Sequence, residues 1–314
     1  MLNRRIIRIK VFKLLFSSVH SQNFDLSLAE KELLLSLDKT RQLYFLLLNL
    51  PDALVRFAQE RIDIGLQKYH PSEEEANPNL RFVNNRLTAF LQKDKELGYA
   101  RERGLNWGEH RSYIRRIHEQ LKEEPFFIDY MTQAQEPGFE EDVKLFMDFY
   151  SSQPAADPEL YGLLEDMSLY WADDVAYVCD VVLSQLENLK ETTRQLRHPE
   201  LFYNNDDKEY ALGLLHQSLI HYNTYIGYIK KFAENWDPER IAATDNILIV
   251  MGVAEAVAFS SIPVKVTLNE MVEISKLYST ENSRVFVNGI LDRILKHLLQ
   301  KGDIVKKGRG LVEN

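Results

Sequence analysis

The run from Asp245 to Gln300 leaves this chain little choice of fold. Its apolar residues recur at the period of an α-helix in three stretches, divided by legible stop signals. Ile247, Leu248, Met251, Ala254, Val257 and Ala258 form the first stripe. Pro263 ends it, because proline has no amide hydrogen and pushes the residue ahead of it out of helical geometry. The second helix opens on a capping box, with Thr267 as N-cap and Glu270 three residues on, each side chain placed to satisfy an orphan backbone donor. The third, from about Ser283 to Gln300, carries Phe286, Ile290, Leu291, Ile294 and Leu298 on one face. Gly289 lies inside it, where glycine costs up to about 1 kcal/mol relative to alanine; close approach of another helix would account for it. Asn288 beside it fits a core polar group.

Composition extends this expectation to the whole chain. At 314 residues the chain can bury one to three cores. Only 13 Gly and 10 Pro argue against a sandwich or barrel built on many tight turns. Leu, Lys and Glu dominate, which favours helix, so the expected class is all-α. A single cysteine, Cys179, excludes a disulfide framework and any multi-cysteine metal centre, and its apolar helical setting suits a buried, inert thiol. No Gly-rich phosphate loop, HExxH pair or Ser/His/Asp order occurs between residues 25 and 200, so neither an enzyme nor a cofactor is expected. Asp173 and Asp174 are adjacent and point about 100° apart on a helix, which reads as a solvated face rather than metal ligands. His110, His118, His216 and His221 lack ligand spacing and read as structural.

The net charge of −9 speaks against nucleic acid, but its distribution does not. Arg4, Arg5, Arg8, Lys10 and Lys13 fall in the first 24 residues with no acid among them, so the acidic excess lies entirely beyond. Lys10 and Lys13 interrupt any secretory apolar core. A membrane-surface helix is disfavoured by the acidic body, and no membrane association is expected. A core helix with a solvated basic stripe stays open. The other reading is geometric: Arg4, Arg5 and Arg8 share about one third of the helix circumference, and that face turns apolar at Phe12, Leu15, Phe16 and Val19. The helix is then packed from about Val11 onward and its arginines project beyond the packing. Cations at a helix N-terminus oppose the macrodipole. Phosphates would use them, since guanidinium forks bind phosphate oxygens in pairs.

Between these ends the pattern predicts helices over 27–50 (stopped by Pro51), 52–69, 79–97, 107–122, 139–150 and 159–191. Polar linkers are expected at 71–78 and 153–158. Arg101, Arg103, Arg111, Arg115 and Arg116 form a second basic patch interspersed with Glu109, Glu119, Glu123 and Glu124. A salt-bridged exposed helix explains it better than a second RNA surface. One long helix, Asp207 to Glu234, with Ile220, Tyr225 and Ile229 on its core face, leads into Trp236.

Three pieces near the C-terminus resemble the NusB family of bacterial antitermination factors. They are Pro263-Val264-Lys265-Val266, then Leu268-Asn269-Glu270 with Glu273 and Lys276, then Phe286-Val287-Asn288-Gly289 with Leu291-Asp292. They stand in register over about 55 residues, and Glu255 falls where the family has a glutamate. The opening helix resembles the family's arginine-rich start, with Leu15-Phe16 on a Leu-Tyr pair; Phe16 lacks the hydroxyl. The resemblance implies an all-α bundle made of a basic helix (1–24) and residues 206–300, a helical insertion at 25–205, and a frayed tail at 301–314. It implies a cytoplasmic factor without chemistry, which holds boxA-type single-stranded RNA together with NusE, a ribosomal protein, in an RNA polymerase elongation complex. Matching positions make Arg4, Arg5 and Arg8 the phosphate contacts, assisted by Lys10 and Lys13. Phe286 is placed either to stack on a base or to fill the core, with Asn282 and Arg284 flanking it. Phe16 and Asp245 fall on the partner side. An RNA cytosine methyltransferase with such a domain would need a Rossmann-type domain and catalytic cysteines. The remaining alternative is an interaction protein of this fold that has lost RNA binding and works through its insertion.

Overall fold

The computed structural model describes residues 1–233 and 242–311. The end of the expected Asp207–Glu234 helix and Trp236 lie outside the described residues. Those described are α-helical apart from short 3-10 turns and one isolated bridge, Leu2 to Phe202, so the all-α expectation holds. They divide into two compact units, residues 1–37 with 201–314, and residues 38–200. Helix α1 spans Arg4–His20, and α2, Leu26–Leu48, passes through the boundary between the two sets.

Unit 38–200 continues with α3 (Leu50–Leu66), α4 (Glu73–Ala76), α5 (Arg86–Gln92), α6 (Lys95–Glu102), α7 (Arg111–Glu123), α8 (Pro125–Thr132), α9 (Phe139–Ser152), α10 (Pro158–Met167) and α11 (Val175–Glu187). The longer helices expected here break where side chains cap new starts. The Asn85 side chain accepts from Thr88 N and that of Asp94 from Leu97 N, so 79–97 becomes the ends of turns plus two short helices. Pro51 sits in the first turn of α3 and so opens that helix, as its missing amide allows. The expected linker at 71–78 holds one helical turn behind a Ser72–Glu75 capping box. Asp174, expected on a solvated face, is 1% exposed and accepts the Thr40 hydroxyl at 2.6 Å. Cys179 is buried, and burial pushes its thiol up to about 12, as an inert thiol should be.

The other unit is completed by α12 (Asn205–Ile220), α13 (Tyr222–Phe232), α14 (Ala243–Ala258), α15 (Val264–Tyr278) and α16 (Ser283–Lys301). A turn at His221 splits the single helix expected after Asp207, and Ile220, expected in its core face, is 60% exposed. Helix α14 is the centre, in contact with α1, α12, α13, α15 and α16. It is buried almost all round, including Ile249, Val250, Val253 and Ala256, while Val257 is half-buried and Ala258 exposed. A helix surrounded on every side has no single stripe for periodicity to find. Close approach happens at Gly252: a Cβ there would lie 2.6 Å from Leu291 Cδ2 and 3.0 Å from Met271 Cγ. Gly289, expected to serve that purpose, has nothing within 4 Å, and Asn288 is exposed.

Helix α15 starts before the expected capping box, with Pro263 as N-cap and no side-chain cap. Thr267 and Glu270 are both engaged elsewhere. Helix α16 ends at Gly302 in the left-handed region, φ +84°. The first part of the tail beyond is anchored: Ile304 is 3% exposed, and Lys306 Nζ donates to the carbonyls of Ala256 and Phe259 at 2.8 and 2.9 Å. These are terminal carbonyls of α14, and a cation there complements the helix dipole. Burial draws the Lys306 ammonium down to about 8. No described helix is long and apolar enough to cross a membrane.

Candidate nucleic-acid interface

Helix α1 is packed from its first turn. Asn3 caps it by accepting from Ile6 N at 3.0 Å, Met1 and Leu2 are 2% and 0% exposed, and Leu2 N donates to Leu201 O at 2.9 Å. Ile6, Ile7, Ile9 and Val11 are all buried. The basic residues therefore do not project beyond the packing as a group, and the expectation that packing begins near Val11 is corrected.

Arg8 shows why. Its Nε and Nη2 donate to Glu255 at 2.6 and 3.1 Å, and its Nη1 to Glu270 at 3.3 Å. Side-chain exposure is 4% for Arg8 and 0% for Glu255. Glu255 also accepts from the Tyr210 hydroxyl, and from the Thr267 hydroxyl at 2.6 Å. One buried carboxylate thus joins α1, α12, α14 and α15. Burial works against the Arg8 charge, but Tyr210, Glu255 and Glu270 outweigh it and hold the guanidinium above the ordinary arginine range. Burial, and then Glu255, push the Tyr210 phenol well up, so it stays a donor. Arg8 is a structural cation, and its expected phosphate contact is withdrawn. Thr267 caps nothing: it lies inside α15, which begins at Val264, and its hydroxyl donates to Glu255.

Arg4 and Arg5 lie at the edge of this knot. Arg5 grips Glu270 through two bonds of 3.0 and 2.7 Å and keeps 50% of its side chain exposed. The Glu270 hydrogen bond raises the Arg5 guanidinium above its ordinary range. Burial of Glu270 is outweighed by its bond to Arg5 and the charges of Arg8 and Arg5, which hold its carboxyl below the ordinary range. Arg4 is 41% exposed, donates to Asp207 at 3.2 Å and lies 4.9 Å from the Tyr210 ring centre. Further along α1, Phe12 packs on Tyr278 at 5.3 Å, and Lys13 Nζ stands 5.7 Å from the same ring. Arg5 and Arg8 thus reach α15 at Glu270, and Phe12 and Lys13 reach it at Tyr278. Asn282 and Arg284, at the start of α16, are exposed a few residues beyond Tyr278. Of the expected residues, Arg4, Arg5 and Lys13 on α1 and Asn282 and Arg284 at the start of α16 keep accessible side chains.

Three other expected residues are inside. Phe286 is 4% exposed, so of its two readings the core one fits this structure and base stacking does not. Lys10 is 4% exposed. Asp245 is 3% exposed and accepts from the Ser279 hydroxyl at 2.5 Å, so its side chain is not on a partner-facing surface. Phe16 is 39% exposed and stacked on His20. Sequence reasoning missed the carboxylates that oppose the arginines. Glu255 was visible only as a matching position, Glu270 as that and as a capping-box residue, and Asp207 only as a helix start. Among the described residues no cluster of three or more side chains is placed to hold a metal ion.

Residues 174–296 match the NusB family. The match begins just ahead of α11, covers α12 to α15 and nearly all of α16, and does not include α1. The chain is 46% identical over 84 residues to the transcription antitermination protein NusB of Salinibacter ruber, covering 27% of this chain and 52% of that protein. It is 44% identical over 86 residues to the protein of the same name from Chloroherpeton thalassium, covering 27% of this chain and 41% of that one. With the Thermodesulfovibrio yellowstonii protein of that name it shares 40% over 93 residues, 30% of this chain and 62% of the relative. The chain thus spans between about two fifths and three fifths of the length of these relatives. No solved structure matches.

Proposed function

Because residues 174–296 of this chain are a NusB family domain, we propose that the protein is a transcription antitermination factor that binds boxA-type single-stranded RNA together with NusE in an RNA polymerase elongation complex. The observation that carries the RNA reading is the half-exposed Arg5 and Arg4 at the start of α1, Arg5 held by α15 and Arg4 by α12, two helices within the stretch that matches the family. The Arg4 and Arg5 side chains are held by carboxylates and still 41% and 50% exposed, and Lys13, Asn282 and Arg284 are further accessible polar groups on α1 and at the start of α16. Phosphates supply the ligand chemistry, and loops of single-stranded RNA supply accessible ones.

The test is fluorescence anisotropy of a boxA-type RNA with the full chain, with and without NusE, across salt concentrations. Changing Arg4, Arg5 and Arg284 together to Ala should weaken binding at least tenfold and flatten the slope of log K against log salt by about 0.7 for each lost phosphate contact. Phe286→Leu should leave the affinity unchanged.

A second reading has its own observation. Arg4, Arg5 and Arg8 each carry an internal carboxylate partner, which lowers the charge available to RNA. An interaction protein that works through residues 38–200 without RNA would look like this too. Unchanged RNA affinity in the triple variant, or no RNA binding with NusE present, selects it.

A further inference from the structure

The unit formed by residues 38–200 contains a cleft of about 390 Å³ between α3 and the segment leading into α7. One wall is a single face of α3, which presents Ala53, Arg56, Phe57 and Glu60. The opposite wall carries Arg101, Trp107, Arg111 and Ile114. The apolar floor is built by Phe57, Trp107 and Ile114, which are 6%, 3% and 4% exposed.

The cations of the cleft are not equivalent. Arg56 Nε is paired with Asp52 at 2.9 Å, and Arg111 Nη1 with Glu60 at 2.6 Å. Among the described residues Arg101 has neutral partners only: Asn49 Oδ1 at 3.0 Å and the Gln92 carbonyl at 3.3 Å. Asn49, 3% exposed, holds that guanidinium in place while its own amide donates to the carbonyls of Phe45 and Leu105. Asp52 does not reach across, because its two oxygens are taken by Gln92 and Arg56. A fixed, half-buried guanidinium is thus left with donor capacity and no anion, at the edge of an apolar floor. Three arginines against two carboxylates leave the cleft one positive charge in excess. A guanidinium favours a planar two-oxygen head group, and a volume in this range suits a small molecule.

We propose that this cleft binds a small organic monoanion, a flat apolar body bearing one carboxylate. The carboxylate meets Arg101 and the body lies against Phe57, Trp107 and Ile114. This site is separate from the proposed RNA face and does not depend on it.

Isothermal titration of the full chain with benzoate, phenyl phosphate and benzyl alcohol tests the proposal. Benzoate should bind saturably with one site, benzyl alcohol should not bind, and phenyl phosphate, with its extra charge, should bind more weakly than benzoate. Arg101→Gln should raise the benzoate Kd at least tenfold. Ala53→Leu keeps every charge and fills the cleft, so it should abolish binding while circular dichroism shows the helices retained. No saturable benzoate binding in the unaltered protein overturns the proposal. So does equal binding by benzyl alcohol, tighter binding of phenyl phosphate, or full affinity in both folded variants.

Discussion

In the unit made of residues 1–37 and 201–314, Arg8 is sealed against Glu255 with 4% of its side chain exposed; in unit 38–200, Arg111 meets Glu60 with 61% exposed. Both arginines belong to pairs of cations spaced four apart, Arg4 with Arg8 and Arg111 with Arg115. Along the chain the two pairs look alike. What separates them is where other helices place carboxylates. Helices α14 and α15 bring Glu255 and Glu270 over one face of α1, and α12 covers it with Tyr210. In α7, Arg111 meets Glu60 on an exposed face, and half-buried Arg116 pairs directly with Asp157 and Glu159. An exposed pair contributes between nothing and about 1 kcal/mol. A buried one adds little over an apolar substitute, yet losing either partner is severe.

The widest gap between the two units should appear on removing one carboxylate from each. Glu255→Ala leaves buried Arg8 with only the longer contact to Glu270, and also strips the hydroxyls of Tyr210 and Thr267 of their acceptor. The expected loss is about 3–5 kcal/mol. Glu60→Ala should cost under about 1 kcal/mol. Urea unfolding of the full chain, followed by circular dichroism, compares them. Equal losses would mean that the Glu255 knot is no more committed than a surface bridge.

A smaller contrast concerns packing. Gly252→Ala drives a methyl into Leu291 and Met271, both fully buried, and should destabilise by about 1–3 kcal/mol. Gly162, inside α10, has nothing within 4 Å of an added Cβ, so Gly162→Ala should stabilise by up to about 1 kcal/mol. The same unfolding measurement decides the sign of each. A neutral Gly252→Ala would show that α14 can shift away from α15 and α16.

The fold class and the stripe of α16 were legible because a helix with one buried face writes its period into the sequence: Phe286, Ile290, Leu291, Ile294 and Leu298 are all inside. Helix α14 was legible as a helix but not as the centre, since burial on every side erases the period. The breaks at Asn85 and Asp94 were missed because capping is local and the apolar pattern runs on across it; the break at His221 has no side-chain cap to announce it. The candidate interface was legible in residue type only. Arg4 and Arg5 are accessible, whereas Arg8, Lys10 and Phe286 are not, and that distinction rests on elements more than two hundred residues away from α1. The role of Thr267 and Glu270 was hidden by tertiary contacts. Their spacing fits a capping box, but α15 has already begun at Val264, Thr267 donates to Glu255 of the preceding helix, and Glu270 accepts from Arg5 and Arg8 of α1.

The mildest contrast is in acid. His118 in α7 is 7% exposed, packed against the rings of Phe57 and Phe82, with Glu119, Lys122 and Arg61 around it. Burial chiefly, then Lys122, lower its imidazole to about 4, and Glu119 does not offset them. In the unfolded chain the ring takes its proton near 6.5. Between those values the unfolded state binds a proton that the folded one refuses, so this stabilisation is complete above pH 6.5 and drains away as pH falls toward 4. At pH 5.5 the loss is about 1 kcal/mol. The Arg5–Glu270 pair works in a lower window. The Glu270 carboxyl is held below its ordinary 4.5, so its contribution is intact above that pH and fades only as pH falls through the lowered value. Unit 38–200 should therefore weaken first. Thermal melts between pH 7 and pH 5 should show a falling midpoint in the unaltered protein and a flatter one in His118→Phe, which keeps an aromatic ring beside Phe57 and Phe82 and cannot titrate. An unaltered pH slope in that variant would move the acid sensitivity to other groups and leave the two units alike in this range.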